Sequence, residues 1–427
     1  MIKKEKKTLP AVRSWYKVDN AANMYSIARS KNFSRTYRNS VVLSENIDIE
    51  TMQRALEKTA KRFPTMNTVL RTGAFWSYLE HTDRVPKIEE ELCIPARYIL
   101  HNGEDSLCYR VNVYKNRLSI DMFHGLADGA GALAFLKTLV VTYYELKGIH
   151  PVSYCGVANT ADEPSPAEVE DSSPKYAVPV KKAVKPKQPP VYIGENDQIE
   201  DFVRFVYGRF PVSTVKTVAK QYRLTITEYL VAAMIMMFIH CSDEPIDLPI
   251  KISIPVDLRR RFPSDTVRNF VFMTEAVFNP HGKKDISFDT VADAIRGRAA
   301  LGTSHKALQK ALSINVAAEK NIVTSAVPYP IKQLVMRKSY EDMQYSYTTL
   351  LSNLGEIKFP PEIQSHVLEA DCCLCKTPFL HFGCAAVSFN GVMNLSFTSA
   401  NRNTEREKYF FRLLASHGIP VRIDSSI

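Results

Sequence analysis

The sequence predicts an α/β protein built as two halves, each with a mixed sheet. Three observations carry that expectation. Short runs of alternating apolar residues, rich in β-branched and aromatic side chains, recur between stretches with helical apolar spacing. One break dominates the composition: Asn159 to Asp201 is rich in Pro, Lys, Glu and Ser and poor in apolar periodicity. The 427 residues, 45% of them hydrophobic, suit two or three compact units at roughly 150 residues each. The expected organisation is a first half over 1–158, a Pro/Lys-rich crossover over 159–201 and a second half over 202–427.

In the first half, Ser40 to Leu43 predicts a short strand. Asp48, then Glu50 and the amphipathic run IETMQRALEKTAKRF, predict a helix that Pro64 ends. MNTVLRTGAFWSYLEHT reads as a strand pair, and CYRVNVYKNRLSIDMFH as two alternating runs with a turn at Lys115-Asn116. The spacing from Ala132 to Leu146 is helical, with Gly148 as its stop. In the second half, FVRFVYGRFPVSTVKTVAKQYRLT reads as strand then helix. Thr225 and Glu228 have capping-box spacing and open an apolar helix through Ile239. LPIKISIPVDLR is a strand ending in a basic turn. AVFNP, YSYTTLLSNLGEIKF, CLCKTPFLHFGCAAVSFNGVMNLSFTSA and VRIDSS are strand-like, with helices around Asp285 to Ala300 and Glu405 to Ser416. KKAVKPK, inside the crossover, reads as an exposed, solvated linker in preference to an anion-binding patch.

Lys and Arg total 55 against 45 Asp and Glu, a net charge of +10. That balance favours anionic partners: a phosphorylated cofactor, an anionic lipid surface or nucleic acid. Nucleic acid has only the charge in its favour, since no recognition module is present. Eight cysteines are too few for a disulfide scaffold, and with no secretion-type apolar segment they read as reduced thiols. No run reaches the ~18–20 apolar residues needed to span a bilayer. The expectation is a cytoplasmic monomer with no transmembrane segment.

The strongest local signal is His124-Gly125-Leu126-Ala127-Asp128-Gly129, between a strand and a helix. A histidine leaving the end of a strand projects into a cleft instead of the core. Its neutral imidazole is suited to take a proton from a hydroxyl or amine near pH 7. Asp128, followed by Gly129, folds back to fix the loop. Read from these residues alone, the pair serves equally as a catalytic base with its support or as a cap that only orders the turn.

FHGLADGAGALAFL, with a strand before it and an apolar helix after it, resembles the H-x-x-x-D-G signature of the chloramphenicol acetyltransferase-like superfamily. That superfamily includes alcohol acetyltransferases, plant BAHD acyltransferases, peptide-synthetase condensation domains and wax-ester synthases. The resemblance covers most of the chain. IETMQRALEKTAKRFPTMNTVLR is similar to the family's early L-x-x-A-L…R-x-P…L-R segment, and LTITEYLVAAMIMMF to its second-half helix. IPVDLR is similar to its strand ending in Arg, and LLSNLGEI to its late S-N-x-G segment. The chain looks nearest to the alcohol acetyltransferase-like branch. Phe123 stands where condensation domains and wax-ester synthases often carry a first histidine, and the plant D-F-G-W-G is absent, HFG at His381 to Gly383 being a poor substitute.

The resemblance implies two pseudo-symmetric halves around an active-site tunnel, with donor thioester and acceptor entering from opposite faces. His124 would be the general base, and Asp128 a structural residue paired with Arg259. Gly129 would allow the tight backbone that starts the helix. Ser352 and Asn353 would bind substrate or the oxyanion, an ordinary turn using Asn and Gly being the equal alternative; Asn269 matches a family position. The cosubstrate would be acyl-CoA, acetyl-CoA first, with a small alcohol or amine acceptor and no permanently bound cofactor. Two alternatives stand beside this: condensation-type transfer from an acyl-carrier protein in lipopeptide or polyketide assembly, and a binding module of the same fold without turnover.

Rival sites are weaker. His366, Cys372, Cys373, Cys375, His381 and Cys384 lack the paired C-x-x-C knuckles of structural zinc, so no metal is expected and buried thiols are the simpler reading. No one of these cysteines is singled out as an activated nucleophile. Met234, Met236 and Met237 read as core packing.

Overall fold

Two large sheets organise the chain, and strands from both ends of the sequence share the first of them. The computed structural model describes residues 12–27, 35–91, 95–96, 99, 106–180, 191–192, 202–297, 304–319, 327–344, 346–375 and 382–425. Before the crossover come β1 (Trp15–Lys17), α1 (Asn20–Ile27), β2 (Thr36–Leu43), α2 (Ile49–Arg62), β3 (Thr68–Thr72), β4 (Ser77–His81), β5 (Glu89–Glu90), β6 (Tyr109–Tyr114), β7 (Arg117–Phe123) and α3 (Gly129–Leu146). The crossover holds α4 (Pro166–Val169) and α5 (Ser173–Tyr176). After it come β8 (Arg204–Pro211), α6 (Val212–Gln221), α7 (Ile226–Cys241), β9 (Ile250–Asp257), β10 (Val271–Phe278), α8 (Phe288–Ile295), α9 (His305–Glu319) and α10 (Tyr329–Gln344). The chain ends with β11 (Thr349–Glu356), α11 (Pro361–Gln364), β12 (Val367–Leu374), β13 (Phe382–Phe389), β14 (Val392–Ser399), α12 (Glu405–Ser416) and β15 (Arg422–Ser425). The class is the mixed α/β that the apolar pattern predicts.

Local chemistry explains the main elements. The Asp48 side chain accepts from Thr51 N–H at 3.2 Å and caps α2. Met52, Ala55, Leu56, Thr59 and Ala60 then share one buried face, the helical repeat that lets α2 pack on α3. The β6–β7 turn places Lys115 at φ 51, and Gly148 at φ 88 stops α3. Thr225 and Glu228 close a reciprocal capping box at the start of α7. That helix is apolar on all sides and buried from Glu228 to Ile239, as a helix without a polar face must be. Among the described residues, no single helix is long and apolar enough to cross a membrane.

β12, β2, β7, β6 and β5 form a five-stranded sheet in that order, antiparallel except at the β5–β6 edge. β10, β9, β11, β13, β14, β8 and β15 form a seven-stranded sheet, parallel at β9–β11 and β11–β13. β1, β4 and β3 make a small third sheet. β12 is the structural link between the two large ones. It pairs with β2 along the backbone, while Ser396 and Thr398 on β14 donate their hydroxyls to the carbonyls of Cys372 and Leu374 at 2.6 and 2.9 Å. Residues as late as Phe389 therefore pack in the first apolar core.

The crossover is more folded than its composition suggests. Pro166 occupies the first turn of α4, where its missing N–H is harmless, and Ser165 with Glu168 closes a capping box around it. Glu168 receives both guanidinium nitrogens of Arg62 at 2.7 and 2.8 Å, and its carbonyl accepts from Val267 N–H at 2.9 Å. The segment thus bridges α2 and the loop before β10. KKAVKPK lies outside the described residues.

Arg204 and Glu407 form a buried ion pair at 2.7 Å that ties β8 to α12. Removing one partner of such a pair leaves the other charged in a low-dielectric interior. Glu407→Ala should therefore lower stability by about 3–5 kcal/mol in urea denaturation; a loss below ~1 kcal/mol would show that the pair behaves as a surface contact.

Candidate active site

His124 follows the last residue of β7, and its backbone N–H donates to the Arg35 carbonyl at 2.8 Å. The half-buried ring lies against Tyr25, stacked at 4.2 Å between centroids, and against Tyr37 at 4.9 Å. It faces a cavity of about 1150 Å³, at the large end for a small-molecule site. Burial lowers the ring's pKa and the Arg35 charge adds to this; its own carbonyl, Asp128 and Asn269 oppose. The net direction is downward, so the imidazole stays neutral at pH 7. Its Nδ1 is enclosed without a hydrogen-bond partner among the described residues.

Asp128 does not pair with that ring. It is the N-cap of α3, only 1% exposed, and its Oδ1 accepts from Gly131 N–H at 2.9 Å. Its Oδ2 accepts from Phe270 N–H at 2.8 Å. Arg259 donates through Nη1 to Oδ2 at 2.9 Å and through Nη2 to Oδ1 at 3.3 Å. The same guanidinium donates to the carbonyls of Thr266 and Arg268 at 2.8 and 2.6 Å, and to Asp257 at 3.0 Å. Tyr37 donates its hydroxyl to the Ala127 and Asp128 carbonyls, each at 2.9 Å. The loop carrying His124 is thereby fastened to the strand β9 end and to the loop before β10.

Gly129 has an ordinary φ, so backbone freedom is not what it supplies. A Cβ there would press on the Leu354 side chain at 2.4 Å. The stricter requirement falls at Gly131, where a Cβ would sit 1.9 Å from the Val267 carbonyl oxygen, a backbone atom that cannot yield.

Ser352 and Asn353 line the cavity from within β11, not from a turn after it. The β11–β13 register shifts between Asn353 and Glu356, with Gly355 at φ 79, a bulge of the kind that re-aims side chains near sites. Asn353 accepts from Gly355 N–H at 3.0 Å and donates to the Thr227 hydroxyl at 3.1 Å. The Ser352 hydroxyl has no hydrogen-bond partner among the described residues. Asn269 lines the cavity as well; it donates to Asp19 at 3.2 Å, and its buried Oδ1 has no partner among the described residues.

Asp19 is the site residue that sequence reasoning missed. It caps α1 through Ala22 N–H at 2.8 Å and lines the cavity while only 2% exposed. Burial pushes its carboxyl up to about 6, with Asp171 adding to this and Arg268 and Asn269 opposing. An Asp ahead of NAANMYSI is a readable helix start, but nothing in that pattern places it beside Asn269. Cys372, Cys373 and Cys384 are buried, and burial pushes their thiols up. His366 packs on Tyr144, and His381 lies outside the described residues.

No family model and no curated protein matches the chain. Solved structures do match over nearly its whole length. TRI101 from F. sporotrichioides, complexed with coenzyme A and T-2, has a TM-score of 0.62 at 10% identity, covering 93% of this chain and 98% of that one. Polyketide synthase associated protein 5 from Mycobacterium tuberculosis has a TM-score of 0.59 at 12% identity, covering 94% and 97%. The first condensation domain of the calcium-dependent antibiotic synthetase has a TM-score of 0.59 at 11% identity, covering 96% and 100%. The fold is the two-half chloramphenicol acetyltransferase-like fold.

The raised Asp19 pKa has a consequence for stability. Below pH ~4 both folded and unfolded chains hold the proton. Between the usual 3.8 and about 6 the unfolded chain ionises first, so stability falls as pH rises, by roughly 3 kcal/mol in all, and is flat above. Asp19→Asn should accordingly stabilise the protein at pH 8 and lose that advantage by pH 4 in urea denaturation. A gain independent of pH would remove Asp19 as its source.

Proposed function

We propose that this protein is an acyltransferase that moves an acyl group, acetyl in the first instance, from a CoA thioester to an alcohol, with His124 as general base. One observation carries the reading: a neutral histidine, on a loop immobilised by a buried Asp–Arg pair, faces a cavity large enough for two substrates. The fold shared with proteins complexed with coenzyme A supports it. The net charge of +10 suits a donor bearing phosphates. The halves over 1–158 and 202–427 act as one catalytic unit, joined by the 159–201 crossover.

The chemistry needs few side chains. Nε2 of His124 takes the acceptor's hydroxyl proton as the oxygen attacks the thioester carbonyl carbon. The tetrahedral intermediate collapses, the carbon–sulfur bond breaks, and the imidazolium returns the proton to the departing thiolate. Ser352 donates to the oxyanion, since its hydroxyl has no partner among the described residues to give up. Asp128 and Arg259 are positioning residues: they hold the His124 loop and the α3 start. Asn269, which donates to Asp19, favours the protonated ring and so keeps the base from becoming too weak. Confining donor and acceptor beside one base supplies much of the rate.

The test is purified protein with acetyl-CoA and a panel of alcohols and amines, followed by free thiol release. His124→Ala should reduce turnover by roughly 10²–10⁴-fold, and release that survives the substitution removes the base. Because burial depresses the His124 pKa, the acid limb of kcat/KM should lie below pH 6.5, where the base at last becomes protonated. An acid limb at or above 6.5 would place the titrating group elsewhere. The near-complete overlap with a condensation domain favours a second reading, transfer from a carrier-protein thioester. Retention on immobilised acyl-carrier protein, with no turnover of any acyl-CoA, would select it. No turnover from either donor leaves a binding module.

A further inference from the structure

The cavity's charges do not balance. Each carboxylate on its wall is engaged elsewhere: Asp128 and Asp257 by Arg259, Asp19 by Ala22 N–H and Asn269, Glu228 by Gly297 N–H, Glu275 by Lys251, Glu319 by Lys17 and Glu356 by Lys358. On the cationic side Arg260 and Lys137 have no ion pair or side-chain hydrogen bond among the described residues; both line the cavity, but Arg260 is exposed to solvent, whereas Lys137 is half-buried. Burial pushes its ammonium toward the neutral form, and the Cys155 thiol is the sole titratable group that opposes this.

Its placement is specific. α3 presents Gly129, Ala130, Leu133, Ala134 and Lys137 to the cavity, one helix face on which every residue but the last is small or apolar. An ammonium held on an apolar wall without a counter-ion is costly unless a ligand supplies one. Eight residues separate Lys137 from Gly129, ~12 Å along the helix, and helical side chains lean back toward the N-terminus. The ammonium therefore stands between one and two turns from the His124 end of α3. The phosphate of a fully extended pantetheine arm, separated from the sulfur by two amides and a branched alcohol, lies beyond that span. A carboxylate about seven or eight bonds from the reacting atom fits it, at the ~1.1–1.2 Å per bond of an extended chain.

We propose that Lys137 selects a small substrate carrying a carboxylate at its far end, laid along α3. The inference rests on the acyl-transfer reading of the same cavity. The carboxylate belongs either to the acceptor or to the transferred acyl group, and the two arms of the test separate these. In the first arm, calorimetry compares 8-hydroxyoctanoate with its methyl ester. In the second, thiol release compares octanedioyl-CoA with octanoyl-CoA. Both use the wild-type protein, Lys137→Met and Lys137→Arg, with unfolding curves to confirm that the variants fold.

The wild type should prefer the carboxylate by at least tenfold in one arm; Lys137→Met should abolish that preference without lowering turnover or binding of the neutral partner, and Lys137→Arg should restore most of it. Equal handling of acid and neutral compound by the wild type in both arms overturns the proposal, as does a preference that persists in Lys137→Met. Weaker CoA binding by Lys137→Met with no carboxylate preference also overturns it and assigns the lysine to donor phosphates. A carboxylate preference in binding, lost in Lys137→Met, with no thiol release from any thioester would keep the site and sink the acyl-transfer reading.

Discussion

The ion pair between Asp128 and Arg259 is the contact on which the rest of the site depends. Asp128 belongs to the loop between β7 and α3, and Arg259 to the turn after β9. A carboxylate 1% exposed survives only with its lone pairs filled. Here they receive two backbone N–H groups, from Gly131 and Phe270, and two guanidinium N–H groups. Those donors come from both halves of the chain. The pair therefore sets the α3 start, the His124 loop and the distance between halves in one cluster. Loss of either partner would strand the other in the interior.

A second constraint is the sharing of strands. β12 completes the first sheet although it lies far along the second half of the sequence, and the β14 hydroxyls grip its carbonyls. Arg117 on β7 adds an ion pair to Asp371 on β12. The two large sheets cannot slide past each other without breaking this strand out of register. The cavity between them is thus held by backbone ladders and buried polar groups, which keep a fixed geometry where apolar contacts alone would allow repacking.

The cavity wall combines small or apolar stretches with a few charged groups whose partners are nearly all named by the fold. Asp19 is kept ionisable at an energetic disadvantage, beside Asn269 and Arg268. Lys137 stands alone on an apolar helix face. Such local departures from the pattern of a stable core concentrate where a protein meets its ligand.

Much of this was legible in the residues. Alternation and helical spacing located β6, β7, α2, α3, α7 and the later strands, because those signals are set by the period at which side chains meet a core. The His124–Asp128 spacing and the Arg closing IPVDLR marked residues that the fold brings together. What was not legible is what depends on neighbours distant in sequence. β1, α1, α9 and α10 are short or weakly amphipathic, and tertiary packing decides them. Asp19 reads only as a helix cap until α1 is laid beside Asn269. The partner of β12 cannot be read from its own residues, since strand periodicity gives a face but no address. Sequence by itself thus determined the class, most elements of each half and the motif at the candidate site. Only the tertiary structure decided which charges are paired, which strand crosses over and which lysine is left facing the cavity, because each is a contact between residues far apart in the chain.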